Sequence, residues 1–105
     1  MTKLIKVATH SESALVAGAI VGLLREQQHA EVQAIGANAV NQAVKAVAIA
    51  RTYLGEHDLD LTMVPCFTKV QINNKDHTAL RFHIKLHPKI QTADFCHSQQ
   101  EQNHA

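Results

Sequence analysis

The sequence predicts a small α/β domain: a two-layer sandwich in β-α-β-α-β-β order, with two helices on a four-stranded mixed sheet. Three observations carry that reading. Two short β-branched stretches each precede a long run with helical spacing, the pattern of successive β-α-β crossovers. The last structured third then alternates apolar and polar residues on either side of an Asn-Asn pair, as a hairpin does. Finally, 105 residues suffice for one core but not two.

"KLIKVA", Lys3 to Ala8, is the first strand. "THSES" supplies a turn, with Ser11 or Ser13 as an expected N-cap and Glu12 suited to a helix start. The first helix then runs to Gln28, with Leu15, Val16, Ala19, Ile20, Leu23 and Leu24 on one broad side. Gly18 and Gly22 lie four apart within it. Each costs roughly 1 kcal/mol relative to Ala in a helix, so close approach of another backbone is the expected compensation.

A second strand spans Glu31 to Ile35. After it comes "GANAVNQAVKAVAIAR", residues 36–51, built mostly of Ala and Val. Asn38 is the expected N-cap and Gly55 the expected C′ glycine. Asn38, Asn41, Gln42, Lys45 and Thr52 form a narrow polar face at 100° per residue, while apolar residues wrap the remainder. Such a helix is buried on two sides, by its own sheet and a second subunit, or else as the central helix of a monomer core.

The third strand, "LDLTMVPCFTKVQI", begins at Leu59. Pro65 marks it as an edge strand or a bulge. Asn73 to Asp76 is read as the hairpin loop. The fourth strand, Thr78 to His87, places Leu80, Phe82, Ile84 and Leu86 on one face and Arg81, His83, Lys85 and His87 on the other. Pro88 ends it, so residues 1–88 form the domain and 89–105 a polar tail expected to be disordered, with Ile90 and Phe95 its only large apolar residues.

Composition excludes several classes of function. The formal charge of +1 gives no global pull toward nucleic acid. Residues 1–9 are too short and polar for a signal peptide, and the longest uncharged run, Ser13 to Leu24, is about half a membrane span. With only Cys66 and Cys96, free thiols and a cytoplasmic location are expected. Eight histidines invite a metal, but His83 and His87 would stand about 13 Å apart on one strand face, and the others lack ligand spacing. No metal or other cofactor is expected. His10, Ser11 and Ser13 are neighbours in a loop without an orienting carboxylate, and the glycines of "AGAIVG" fall inside a helix, so neither a nucleophile nor a dinucleotide fingerprint is present. No enzyme activity is expected.

Charge is nonetheless uneven. From Lys69 to Lys89 five basic residues face one acid, a net of +4, leaving −3 for the rest. That hairpin, carrying Lys69, Lys75, His77, Arg81 and Lys85, could follow a phosphate backbone. It could equally be the solvated, edge-protecting face of a half-buried strand.

"VAGAIVGLLRE" (Val16 to Glu26), "EVQAIGANAVNQAVKAVAIAR" (Glu31 to Arg51) and "PCFTKVQI" (Pro65 to Ile72) closely resemble the bacterial stage V sporulation protein S family, in its order and spacing. That family is similar in turn to the Alba superfamily of archaeal chromatin and RNA-binding proteins, whose second-helix pattern recurs as Ala39, Ala43 and Val44. The resemblance implies the same fold and a homodimer packed through the second helix and neighbouring sheet, with Val40, Ala43, Val44 and Val47 at the interface and a tetramer as a further assembly. It also implies a nucleic-acid surface, DNA or RNA, on three segments: His10 and Ser11; Gly36, Ala37 and Asn38, with Asn41 beside them; and the hairpin arm from Lys69 to His77. Alba carries lysines in the first loop and arginines in the second, where this chain has His10, Ser11, Glu12 and Gly36, Ala37, Asn38. Weaker, more salt-sensitive binding is implied, or a protein-assembly role in sporulation or division control that has lost nucleic acid.

Overall fold

The computed structural model describes residues 3–89, so the tail expected over 89–105 lies, apart from Lys89, outside the described residues. The order is β1 (Leu4–Val7), α1 (Ser13–Gln27), β2 (His29–Ala34), α2 (Ala37–Gly55), β3 (Leu59–Ile72) and β4 (Lys75–Pro88). The strands form one sheet in the order β1-β2-β4-β3. β1 and β2 are parallel, and β4 is antiparallel to both β2 and β3. This is the expected two-layer, mixed-sheet architecture.

Both helices lie on one face of the sheet because their apolar stripes fit only there. In α1, Val16, Ala17, Ile20 and Leu24 are buried, the four-residue recurrence of a single helical face. In α2 the corresponding stripe is Ala39, Ala43, Ala46, Val47, Ala50 and Leu54. Against them the sheet presents Val7, Ala30, Val32, Ala34, Leu61, Phe82 and Ile84. The alanines let α2 sit close to both the sheet and α1. Val44, Ile49 and Tyr53 remain about two-fifths exposed, so α2 is buried on one face and one flank only.

At the caps and turns the structure departs from the local sequence signals. Ser11 does not cap α1: its hydroxyl accepts from the Ala8 N–H (2.9 Å) and its own N–H donates to the Ala8 carbonyl (3.1 Å), closing the turn after β1. Glu12 holds the N-cap position without a side-chain cap. Gln28, left-handed at φ 71°, ends α1 by donating to the Leu24 carbonyl. Gly36, not Asn38, is the N-cap of α2, at φ 91°. A left-handed glycine turns the chain there without any side chain, which places Asn38 inside the first turn. At the other end Gly55 is still helical, and the left-handed residue is Asp58 (φ 59°).

Among the described residues Gly18 and Gly22 do not meet another backbone: nothing lies within 4 Å of where a Cβ would stand at either. The hairpin turn is two residues, not four. Asn73 and Asn74 both take positive φ (51° and 64°), which Asn tolerates, and Ile72 pairs with Lys75. This is the type I′ geometry that matches strand twist, and it extends β4 back through His77, Asp76 and Lys75. Pro65 sits on β3, an edge strand, where a missing N–H is tolerated.

The junction between α2 and β3 is held electrostatically. Arg51 Nε donates to Asp60 Oδ1 (2.7 Å) and a terminal nitrogen to Oδ2 (3.1 Å), while Asp60 Oδ1 also accepts from the Leu61 N–H. At the same end Leu86 N–H donates to the Gln28 carbonyl and Lys89 N–H to the Asp58 carbonyl, fastening the close of β4 to the ends of both helices.

Candidate nucleic-acid interface

Strand direction brings three segments to one edge of the sheet. β1 and β2 end side by side, Val7 opposite Ala34, so the β1–α1 and β2–α2 loops emerge together. Ala34 also pairs with Leu80. Beyond that point β3 and β4 continue alone as a two-stranded arm from the Thr68–Ala79 pair to the turn. His10, Gly36, Ala37, Asn38 and Asn41 are exposed at this edge and Ser11 is half-buried.

Both helices start here. The first N–H groups of a helix have no intrahelical partner and attract anions. Neither start is closed by a side-chain cap, and neither first turn contains an acid. At α1 the Glu12 carboxylate occupies the N-cap position and opposes an anion; at α2 the residue is Gly36, which opposes nothing. The α2 start is therefore the more anion-receptive of the two.

Gln42, which sequence reasoning left among the polar-face residues, joins two of these segments. Its side-chain amide donates to the Ser11 carbonyl at 2.7 Å. Gln42 lies one turn beyond Asn38 on a helix otherwise rich in Ala and Val, and that spacing was the signal available for it.

The basic residues expected on the hairpin are not gathered into one patch. Lys69 pairs with Thr78 and Lys75 with Ile72, and this register puts the two lysines on opposite faces of the arm, both exposed. His77, opposite Val70, is half-buried. Arg81 is engaged within the protein: one terminal nitrogen donates to Gln33 Oε1 (2.6 Å) and the other stands 3.8 Å from Glu31 Oε1. Its Nε is buried without a hydrogen-bond partner among the described residues. Lys85 is exposed but lies in register with Thr62 and His29, ten residues from Lys75 and thus about 33 Å away along the strand. Lys69 and Lys75 thus lie on the arm beyond the two loops, Arg81 lies next to the loop-bearing end of β2 with its guanidinium engaged by Gln33 and Glu31, and Lys85 lies toward the opposite edge.

Of the residues expected at a dimer interface, Ala43 is fully buried and Val47 nearly so. Both are spent on the protein's own core, since they fall on the stripe facing the sheet. Val44, 43 % exposed, and half-buried Val40 lie on the flank of α2 that leans toward β3, the flank from which Arg51 reaches Asp60. Beyond them β3 exposes Pro65 and Phe67, the latter 79 % exposed. Among the described residues no three His, Cys, Asp or Glu side chains are placed to hold a metal ion, and no helix is long and apolar enough to cross a membrane.

A β-α-β-α-β-β sandwich with a projecting β3–β4 arm is the Alba-type α/β fold. Among solved structures the chain is similar to Alba from Thermoplasma volcanium, with a TM-score of 0.54 and 16 % identity over 80 % of this chain and 98 % of that one. At the level of sequence, residues 3–87 match the family of stage V sporulation protein S (SpoVS). The chain belongs to that family.

Proposed function

We propose that this protein is a cytoplasmic, dimeric nucleic-acid-binding regulator that acts by binding rather than catalysis. The observation that supports it best is the convergence on one sheet edge of the β1–α1 loop, the α2 start and the two-stranded arm. Phosphate would lie at the N–H groups of Gly36, Ala37 and Asn38, with Asn38 and Asn41 offering side-chain hydrogen bonds and Lys69 and Lys75 embracing the backbone from the two faces of the arm. Arg81 would hold the sheet face in place through Gln33 and Glu31, and Lys85 would add only distant charge. A second copy would cover Val40, Val44, Pro65 and Phe67, setting two arms on one assembly; pairing of such dimers gives a tetramer.

One observation favours a protein-assembly role instead. The arm beyond Leu80 carries Lys69 and Lys75 against Asp76, so little net charge remains where Alba-type binding needs it. Fluorescence anisotropy with short single-stranded RNA, single-stranded DNA and duplex DNA at two salt concentrations separates the two. Binding that weakens with salt, with a slope reporting the number of phosphate contacts, supports the nucleic-acid reading. Absence of binding at low salt sinks it and leaves the assembly role.

A further inference from the structure

On the side of the helical layer away from the sheet, α1 and α2 leave an apolar groove of about 500 Å³. Ala14, Gly18 and Gly22 form its floor on α1, and Ile49 and Tyr53 its wall on α2. It runs along α1 from Ala14 in the first turn to Arg25 in the last. Among the described residues nothing lies within 4 Å of a Cβ position at Gly18 or Gly22, so space the width of a side chain stands open above them. Arg25 is the groove's one charged lining residue, and it donates to the Tyr53 hydroxyl at 3.2 Å across the end nearest the helix C-termini.

The end of β4 is fastened to that same end of the molecule, Leu86 to Gln28 and Lys89 to Asp58. Residues 90–105 continue the chain from Lys89, which lies at the same end of the molecule as the groove's Arg25–Tyr53 mouth. They carry no Lys or Arg, two acids, Asp94 and Glu101, and two large apolar side chains, Ile90 and Phe95. From Lys89 to Phe95 an extended chain reaches about 20 Å. That suffices to climb past the helix ends, about 10 Å across, and enter the groove.

We propose that the α1–α2 groove is the docking site of the protein's own C-terminal segment, with Phe95 seated over Gly18 and Gly22 and Asp94 paired with Arg25. The apolar ring fills the space that the glycines leave, and the carboxylate meets the cation that lines the mouth. Residues 90–93 serve as the connection. This inference goes beyond the nucleic-acid reading and stands independently of it, because the groove and the interface share no residue.

The test uses the full chain with Cys66→Ser, so that a nitroxide attaches to Cys96 alone. In the 15N-labelled protein the amide resonances of Gly18 and Gly22 should broaden relative to the reduced nitroxide, while those of Asn73 and Asn74 on the arm stay sharp. Phe95→Ala should restore them. Gly22→Leu, which fills open space, should restore Gly18 with the rest of the spectrum retained. Sharp Gly18 and Gly22 resonances in the labelled protein would overturn the proposal. So would broadening in a mixture where the nitroxide sits only on unlabelled chains, because the segment in the groove would then come from a second copy.

Discussion

The side-chain amide of Gln42 and the carbonyl of Ser11 meet at 2.7 Å, tying the second helix to the loop that precedes the first. A neutral hydrogen bond of this kind contributes about 1 kcal/mol. Gln42→Leu should lower unfolding free energy by about that amount, measured by urea denaturation, and weaken nucleic-acid binding by more than the stability loss explains. Equal binding by the variant would mean that the position of the Ser11 loop does not matter to the interface.

Lys69 and Lys75 should each act as a phosphate contact. Lys69→Gln or Lys75→Gln should reduce the slope of log K against log salt by about 0.7 to 0.9, and Lys85→Gln should leave it unchanged. Arg81→Gln should appear chiefly in stability, since its guanidinium is committed to Gln33 and Glu31. A slope change for Lys85→Gln matching that for Lys75→Gln would refute the division of the strand into two charge groups.

Arg51 and Asp60 should respond asymmetrically. The Asp60 side chain is 6 % exposed and that of Arg51 38 %, so losing the arginine leaves a buried carboxylate without its opposite charge whereas losing the aspartate leaves a cation that reaches water. Arg51→Ala should cost roughly 3 kcal/mol and Asp60→Asn about half that. Denaturant midpoints compared at a common m-value decide the order.

Two glycines should give opposite signs. Gly36→Ala forces an L side chain into φ 91° and should destabilise by about 1 kcal/mol or more. Gly55→Ala sits in helical backbone with open space around it and should stabilise by about 0.5 to 1 kcal/mol. Thermal unfolding of the two variants side by side reads the difference.

Val44→Asp and Phe67→Asp should each shift the protein toward monomer in size-exclusion chromatography with light scattering. Neither side chain belongs to the buried core, so the fold should persist. An unchanged mass for both would place the contact between copies elsewhere.

The architecture was legible because periodicity survives context. The four-residue recurrence in α2 and the alternation from Leu80 to Leu86 each point at one face, whatever packs there. Caps and turns were not, because they depend on which residue takes a positive φ, and Gly36, Gly55, Asn38, Asn73 and Asn74 are all suited to it. The sheet edge bearing the loops could be derived from strand order. The fate of individual charges could not, because Arg81 and Lys85 share a strand face in sequence and only cross-strand register shows Gln33 and Glu31 claiming one of them. Likewise Ala43, Val44 and Val47 belong to one broad apolar surface of α2, and only the sheet in place shows which of them turn inward.

β4 comes last among the described strands yet lies between β2 and β3. During synthesis the β1–β2 pair and β3 must therefore wait as separate pieces, with β2 and β3 lacking the strand that joins them. Pairings of such long sequence separation make formation of the sheet a late, all-or-none event. Until β4 arrives, the β-rich segment around Phe67 has neither its pairing partner nor its final neighbours, and this interval is when the nascent chain is most open to capture by other chains.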